Sequence, residues 1–137
     1  MSLGKIFDVA GSGMSAQALR LNITASNLAN AGSVAGDPAD VYKARQPVFA
    51  SYDQAFADSG DSRAVQVLGV VESKAPVQTL YQPAHPDADE NGNVYATNVN
   101  AVEEMVNMLS ASRAYQSNIE VLQTTKELML QTLSLGQ

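Results

Sequence analysis

Residues 100–135 read NAVEEMVNMLSASRAYQSNIEVLQTTKELMLQTLSL, and the spacing of apolar residues along this stretch decides the fold. Met105, Met108, Ser112, Tyr115, Ile119, Leu122, Lys126, Met129 and Leu133 alternate three and four residues apart. That is an a/d heptad register, and it predicts a long helix with a seam for a partner helix. Val121, Leu128 and Leu135 form a second row that gives the last turns another apolar face. Asn100 is placed to cap the helix, with Glu103 three residues on as the second half of a capping box, and Gly136 follows the far end. At a rise of about 1.5 Å per residue this helix runs about 52 Å. A globule of this chain length has a radius of gyration of about 14 Å, hence a diameter of roughly 37 Å. The helix overshoots such a globule, so its outer apolar face calls for cover by other chains.

Moving outward, residues 3–30 predict a second long helix of about 42 Å. Phe7, Met14, Leu21 and Leu28 recur every seven residues, with Leu3 and Ile6 thickening the stripe near its start. Beside them runs a row of small residues, Gly11, Ala18 and Ala25, which lets another backbone come close. Glycine in a helix costs about 1 kcal/mol, so Gly11 and Gly13 are expected to let the first turns fray. Asn30–Ala31–Gly32 supplies the stop. A narrow small-residue face suits a broad apolar one, so the two terminal helices are expected to pair antiparallel.

Between them the chain changes character. A polar loop, Gly36–Asp37–Pro38–Ala39–Asp40, leads into an expected strand at Val41–Tyr52, which Pro47 confines to an edge or bulge. Asp58–Ser62 reads as a turn, and Arg63–Glu72 and Val77–Tyr81 as further short strands. Pro83, Pro86 and Asn91–Gly92 then break the chain. The expected fold is mainly α, with long N- and C-terminal helices pairing as a coiled coil around a small β-rich middle segment. Its divisions fall at 1–31, 32–99 and 100–137.

Composition narrows the function. The 137 residues fit one domain, with 45% apolar residues, 6% aromatics and no tryptophan. A net charge of −6, with eight scattered Lys and Arg, argues against a nucleic-acid or anionic-membrane surface. Lys43 and Arg45, near Tyr42 and Phe49, are too few to reverse that balance. The absence of cysteine excludes disulfides and thiolate chemistry. Met1–Val9 has no apolar run of secretory-leader length, and no stretch approaches a membrane span. If the chain leaves the cytoplasm, it is expected to do so without a conventional cleaved leader.

Catalytic, metal and cofactor sites are not expected. His85 is the one histidine, and no serine lies in a nucleophile elbow. Gly11–Ser12–Gly13 lacks the preceding strand and third glycine of a dinucleotide loop. Asp87–Ala88–Asp89–Glu90–Asn91–Gly92 copies the first six positions of an EF-hand loop, but position twelve falls on Asn98, where a bidentate Glu is required. Asp and Asn before Gly are equally what a tight turn needs. A small Ca²⁺-binding module and a stand-alone helical adaptor are the alternatives to an assembly subunit.

Both termini also carry longer signatures. Residues 21–31, LNITASNLANA, and residues 98–118, NVNAVEEMVNMLSASRAYQSN, together resemble the paired terminal signatures of bacterial flagellar axial proteins. GSGMSAQ at 11–17, HPDADENG at 85–92 and the short chain are similar to the flagellar basal-body rod protein family, nearest its proximal-rod subunits. The chain departs from that pattern in its longer Gly32–Asp40 loop, in Asn93 where an aromatic is common, and in Thr97 where proline is usual. The resemblance implies a non-enzymatic subunit that polymerises helically, through its terminal helices, into the periplasm-spanning drive shaft. That shaft transmits torque and surrounds the export channel. It implies delivery by the flagellar export apparatus and no cofactor. Implied partners are copies of the chain and other rod subunits, with no nucleic acid and no membrane insertion. The implied packing and assembly positions are Phe7, Met14, Ala18, Leu21, Ala25, Asn27, Leu28 and Asn30, then Met105, Met108, Tyr115, Ile119, Leu122, Met129 and Leu133.

Overall fold

In a computed structural model, residues 3–53 and 63–136 are described. The element order is α1 (Leu3–Ala29), β1 (Val34–Ala35), β2 (Arg45–Asp53), β3 (Arg63–Glu72), β4 (Gln78–Tyr81), β5 (Asn93–Ala96) and α2 (Ala101–Leu135). The turn expected at Asp58–Ser62 lies outside the described residues. Helix accounts for 50% of the described residues and strand for about 23%, in two antiparallel sheets. The expectation of a mainly α fold with a small β middle is therefore wrong. The β-branched residues of 63–72 extend a full ten-residue strand, and β5 adds a strand in a stretch that reads only as chain breakers.

The chain divides into two compact units, each drawing on both helices. One takes α1 up to Leu21, the Pro47–Gly69 part of β2 and β3, and α2 from Leu109 onward. Among its described residues the buried ones are small: Ala10, Ala16, Ala64, Ala111 and Thr125. At Gly13 an added Cβ would lie 3.0 Å from Asn118 Nδ2, so here the helices are in close approach. Gly13 thus serves a packing need, and α1 runs unbroken through both of its early glycines.

The second unit takes Asn22–Gln46 and Val70–Met108. Its centre is a three-stranded antiparallel sheet in the order β1-β5-β4, with Val34 opposite Ala96 and Leu80 opposite Val94. Val94, on the middle strand, is fully buried; a valine so placed contributes about 1.5–3 kcal/mol through burial. Asn100 caps α2 by accepting from the backbone N–H groups of Val102 at 3.1 Å and Glu103 at 3.3 Å.

The burial of α2 divides the residues of the expected seam. Met105 and Leu133, both assigned to it, are 56% and 69% exposed. The row one residue earlier, Glu104, Ala111 and Thr125, is buried instead. Close approach selects the side of a helix with the shortest side chains, and α2 turns Ala111 and Thr125 inward rather than its largest apolar residues.

Candidate assembly surface

Within the first unit, α1 and α2 lie side by side and line two shallow grooves. Gly11, Met14, Ser15, Ala18, Tyr115 and Leu122 border one of about 380 Å³. Ile6, Ser117, Glu120, Val121, Thr124 and Thr125 border the other. Early α1 residues meet late α2 residues, and Gly13 meets Asn118, so the two segments run antiparallel. Ser12 joins the β-strands to α1: its hydroxyl donates to Val9 O at 2.8 Å and accepts from Val65 N–H at 3.1 Å.

The expected assembly residues separate under this geometry. Met14, Ala18, Tyr115 and Leu122 come together around one groove. Phe7, Leu21, Leu28, Met108, Ile119 and Met129 are half-buried, whereas Ala25, Met105 and Leu133 face solvent. Leu128, Leu130, Leu133 and Leu135 leave the last turns of α2 apolar on more than one side. In the first turns of α2 the usual polarity is inverted, with Glu104 buried and Val102, Met105 and Val106 exposed. A contiguous apolar face outside and a carboxylate inside is the reverse of what a solvated helix presents.

Asn27 belongs to a different arrangement. It is 1% exposed, and its amide accepts from Arg45 N–H and the Tyr42 hydroxyl, each at 2.9 Å, while donating to Arg45 O at 2.8 Å. Asn30 donates to Ser26 O at 2.8 Å and so closes the C-terminal turn of α1. Asn98, which the sequence marks only as the twelfth position of the EF-hand-like loop and the start of the C-terminal signature, accepts from Ala44 N–H at 2.8 Å and donates to Ala75 O at 2.9 Å. It lies two residues ahead of the Asn100 cap.

The EF-hand-like turn is closed on itself. Asp89 accepts from the Asn91 and Asn93 N–H groups at 2.8 Å and from the Tyr95 hydroxyl at 3.2 Å, so its carboxylate oxygens are already engaged. Among the described residues no group of three His, Asp or Glu is placed to hold a metal ion. His85 Nδ1 accepts from Asp87 N–H at 3.1 Å, a contact within the same turn. Nor is any helix, among the described residues, long and apolar enough to cross a membrane.

The Asn93 N–H bond, chiefly, holds the Asp89 carboxyl below its ordinary value; burial opposes it, and the bonds from Asn91 and Tyr95 restore the downward balance. Burial and the neighbouring Asp89 push the Tyr95 hydroxyl up. Because the Asp89 pKa is depressed on folding, its stabilisation is present above the ordinary carboxylate range and lost as pH falls through the depressed value. In an acid titration followed by NMR, the Asn91 and Asn93 amide signals should move together, and only below the ordinary Asp range. Movement within that range would show that the turn does not hold the ionised form.

Two family models match the chain. One, described as flagella basal body rod protein, matches residues 7–36. The other, described as flagellar basal body rod FlgEFG protein C-terminal, matches residues 90–135. The flagellar basal-body rod protein FlgC of Salmonella typhimurium is 53% identical, with 100% of both chains covered. That of Yersinia enterocolitica is 50% identical over the whole of both chains. That of Borreliella burgdorferi is 33% identical over 100% of this chain and 99% of the relative. Matched helices at both ends, with full-length identity above half, place the chain among the FlgC flagellar basal-body rod proteins, and it belongs to that family.

Proposed function

We propose that the chain builds the proximal part of the flagellar rod, polymerising helically with copies of itself and with other rod subunits. As a member of the rod protein family it is a structural subunit of the flagellar basal body. The observation that carries the finer reading is the inverted polarity of α2, with Glu104 buried and Val102, Met105 and Val106 outside. Neighbouring subunits cover that face and the leucines of the last turns. The two terminal helices form the inner layer around the export channel. The packing positions are Phe7, Met14, Ala18, Leu21, Leu28, Met108, Tyr115, Ile119, Leu122 and Met129, with Ala25, Met105 and Leu133 meeting neighbours. The flagellar export apparatus delivers the chain to the periplasm, and torque passes through it without any catalysis. Deleting the gene and supplying it again from a plasmid is the test. Basal bodies purified from the deletion strain should lack a rod, and those from the complemented strain should contain the chain. Complete rods without the chain would overturn the proposal.

A further inference from the structure

We infer that Asn27 and Asn98 form a two-sided latch that makes the seating of the base of the β2–β3 ribbon depend on both terminal helices. The latch lies within one chain, so it stands or falls separately from the assembly reading. Arg45, the first residue of β2, has both its N–H and its C=O bonded to the side chain of Asn27, at 2.9 and 2.8 Å. A primary amide carries donor and acceptor side by side, so Asn27 takes the place of a neighbouring strand. Aspartate has no donor at that position, serine is too short, and glutamine is longer by a methylene. The preceding residue, Ala44, is held from another part of the chain: its N–H donates to Asn98 Oδ1 at 2.8 Å, and its C=O accepts from Ser73 N–H at 2.7 Å. The other side of Asn98 donates to Ala75 O at 2.9 Å, binding the segment that leaves β3.

Asn27 sits in the last turn of α1, and Asn98 lies just ahead of the Asn100 cap of α2. The two jaws therefore come from the end of one terminal helix and the lead-in to the other, and close on one two-residue step. Unwinding the last turn of α1 removes the backbone partners of Arg45, and shifting the lead-in to α2 removes those of the Ala44 N–H and the Ala75 carbonyl. Tyr42 fastens the first jaw further, with its hydroxyl donating to Asn27 Oδ1 at 2.9 Å and the Arg45 guanidinium 5.4 Å from its ring centre. Adjacent peptide groups share their backbone torsions, so freeing either one loosens the other. Ordering of the helix ends is thereby passed to the start of β2 and the segment that leaves β3.

Backbone amide exchange measured by NMR on the full-length chain tests this, with each variant read at the amide that the other asparagine holds. Asn27→Ala should speed exchange at Ala44 by about tenfold or more, and Asn98→Ala should do the same at Arg45. Val94 and Tyr95, in the three-stranded sheet, should keep their protection. Asn98 is only half-buried, so its variant carries the test if Asn27→Ala fails to fold. Two independent braces would give faster exchange only at the amide bonded to the substituted residue, which would overturn the latch. Unchanged exchange at both amides would overturn it as well.

Discussion

Replacing Leu130 and Leu133 together by Asp should abolish swimming and leave basal bodies without a complete rod, while the purified chain stays as stable as the parent. These leucines are 56% and 69% exposed on the last turns of α2, so inside a single chain they have little packing to lose. Exposed helix substitutions of this kind change stability by about 0.5 kcal/mol or less. On the proposed reading the same positions lie between subunits in a rod, where a carboxylate buried without a partner costs several kcal/mol. Each ~1.4 kcal/mol is tenfold in association, so two such charges move an assembly equilibrium by orders of magnitude. Circular dichroism melts of the variant and electron microscopy of basal bodies check the two halves of this expectation. A variant that unfolds says nothing about assembly; a folded variant that builds rods would show that this face stays open in the rod.

Gly36→Ala is expected to have the largest effect on the fold itself. A Cβ at Gly36 would stand 2.6 Å from the backbone oxygen of Asp87, closer than any side chain tolerates. The obstacle is main chain, so either the 36–40 loop or the Asp87 turn must move. Overpacking of this kind costs about 1–3 kcal/mol, enough to lower the melting temperature by several degrees. Gly32→Ala is the matched control, since nothing lies within 4 Å of a Cβ at that position. The Gly36 variant should melt well below the Gly32 variant, and equal melting temperatures would mean that the two loops separate without penalty. Gly92 is constrained differently. Its φ of 78° favours glycine, and an added Cβ would also meet Pro83 and Tyr81 at 3.0 Å.

Both helices are legible in the sequence because a period sustained over many turns has no other reading. Asn100 is legible for the same kind of reason, since a side-chain acceptor ahead of an apolar periodic run caps the first turn. The burial of α2 is harder to read. Met105 and Leu133 carry the heptad pattern as plainly as Leu122, yet they are exposed while Leu122 lines a groove. An apolar residue looks the same in sequence whether its own chain covers it or a neighbour does. The row that is buried, Glu104, Ala111 and Thr125, is mostly small or polar and marks no stripe. Strand β5 is illegible because its four residues follow prolines and an Asn–Gly step and are too few to show alternation. Its partners come from distant parts of the chain, with β1 on one side and β4 on the other. Asn27 reads as a signature residue without a stated task, and its task depends on Arg45 and Tyr42 reaching it, which no local pattern records.

On the proposed reading, subunits of the rod cover the outward apolar face of α2. Hydroxyl-radical footprinting of Val102, Met105, Leu130 and Leu133, compared between the purified chain and isolated basal bodies, measures it directly. All four are more than half exposed in the single chain and should label readily there. In basal bodies their labelling should fall by about tenfold, as for side chains moved into a packed interface, while Tyr81, 72% exposed on β4, keeps a measurable rate. Equal labelling of all four residues in the free chain and in the rod would contradict the account.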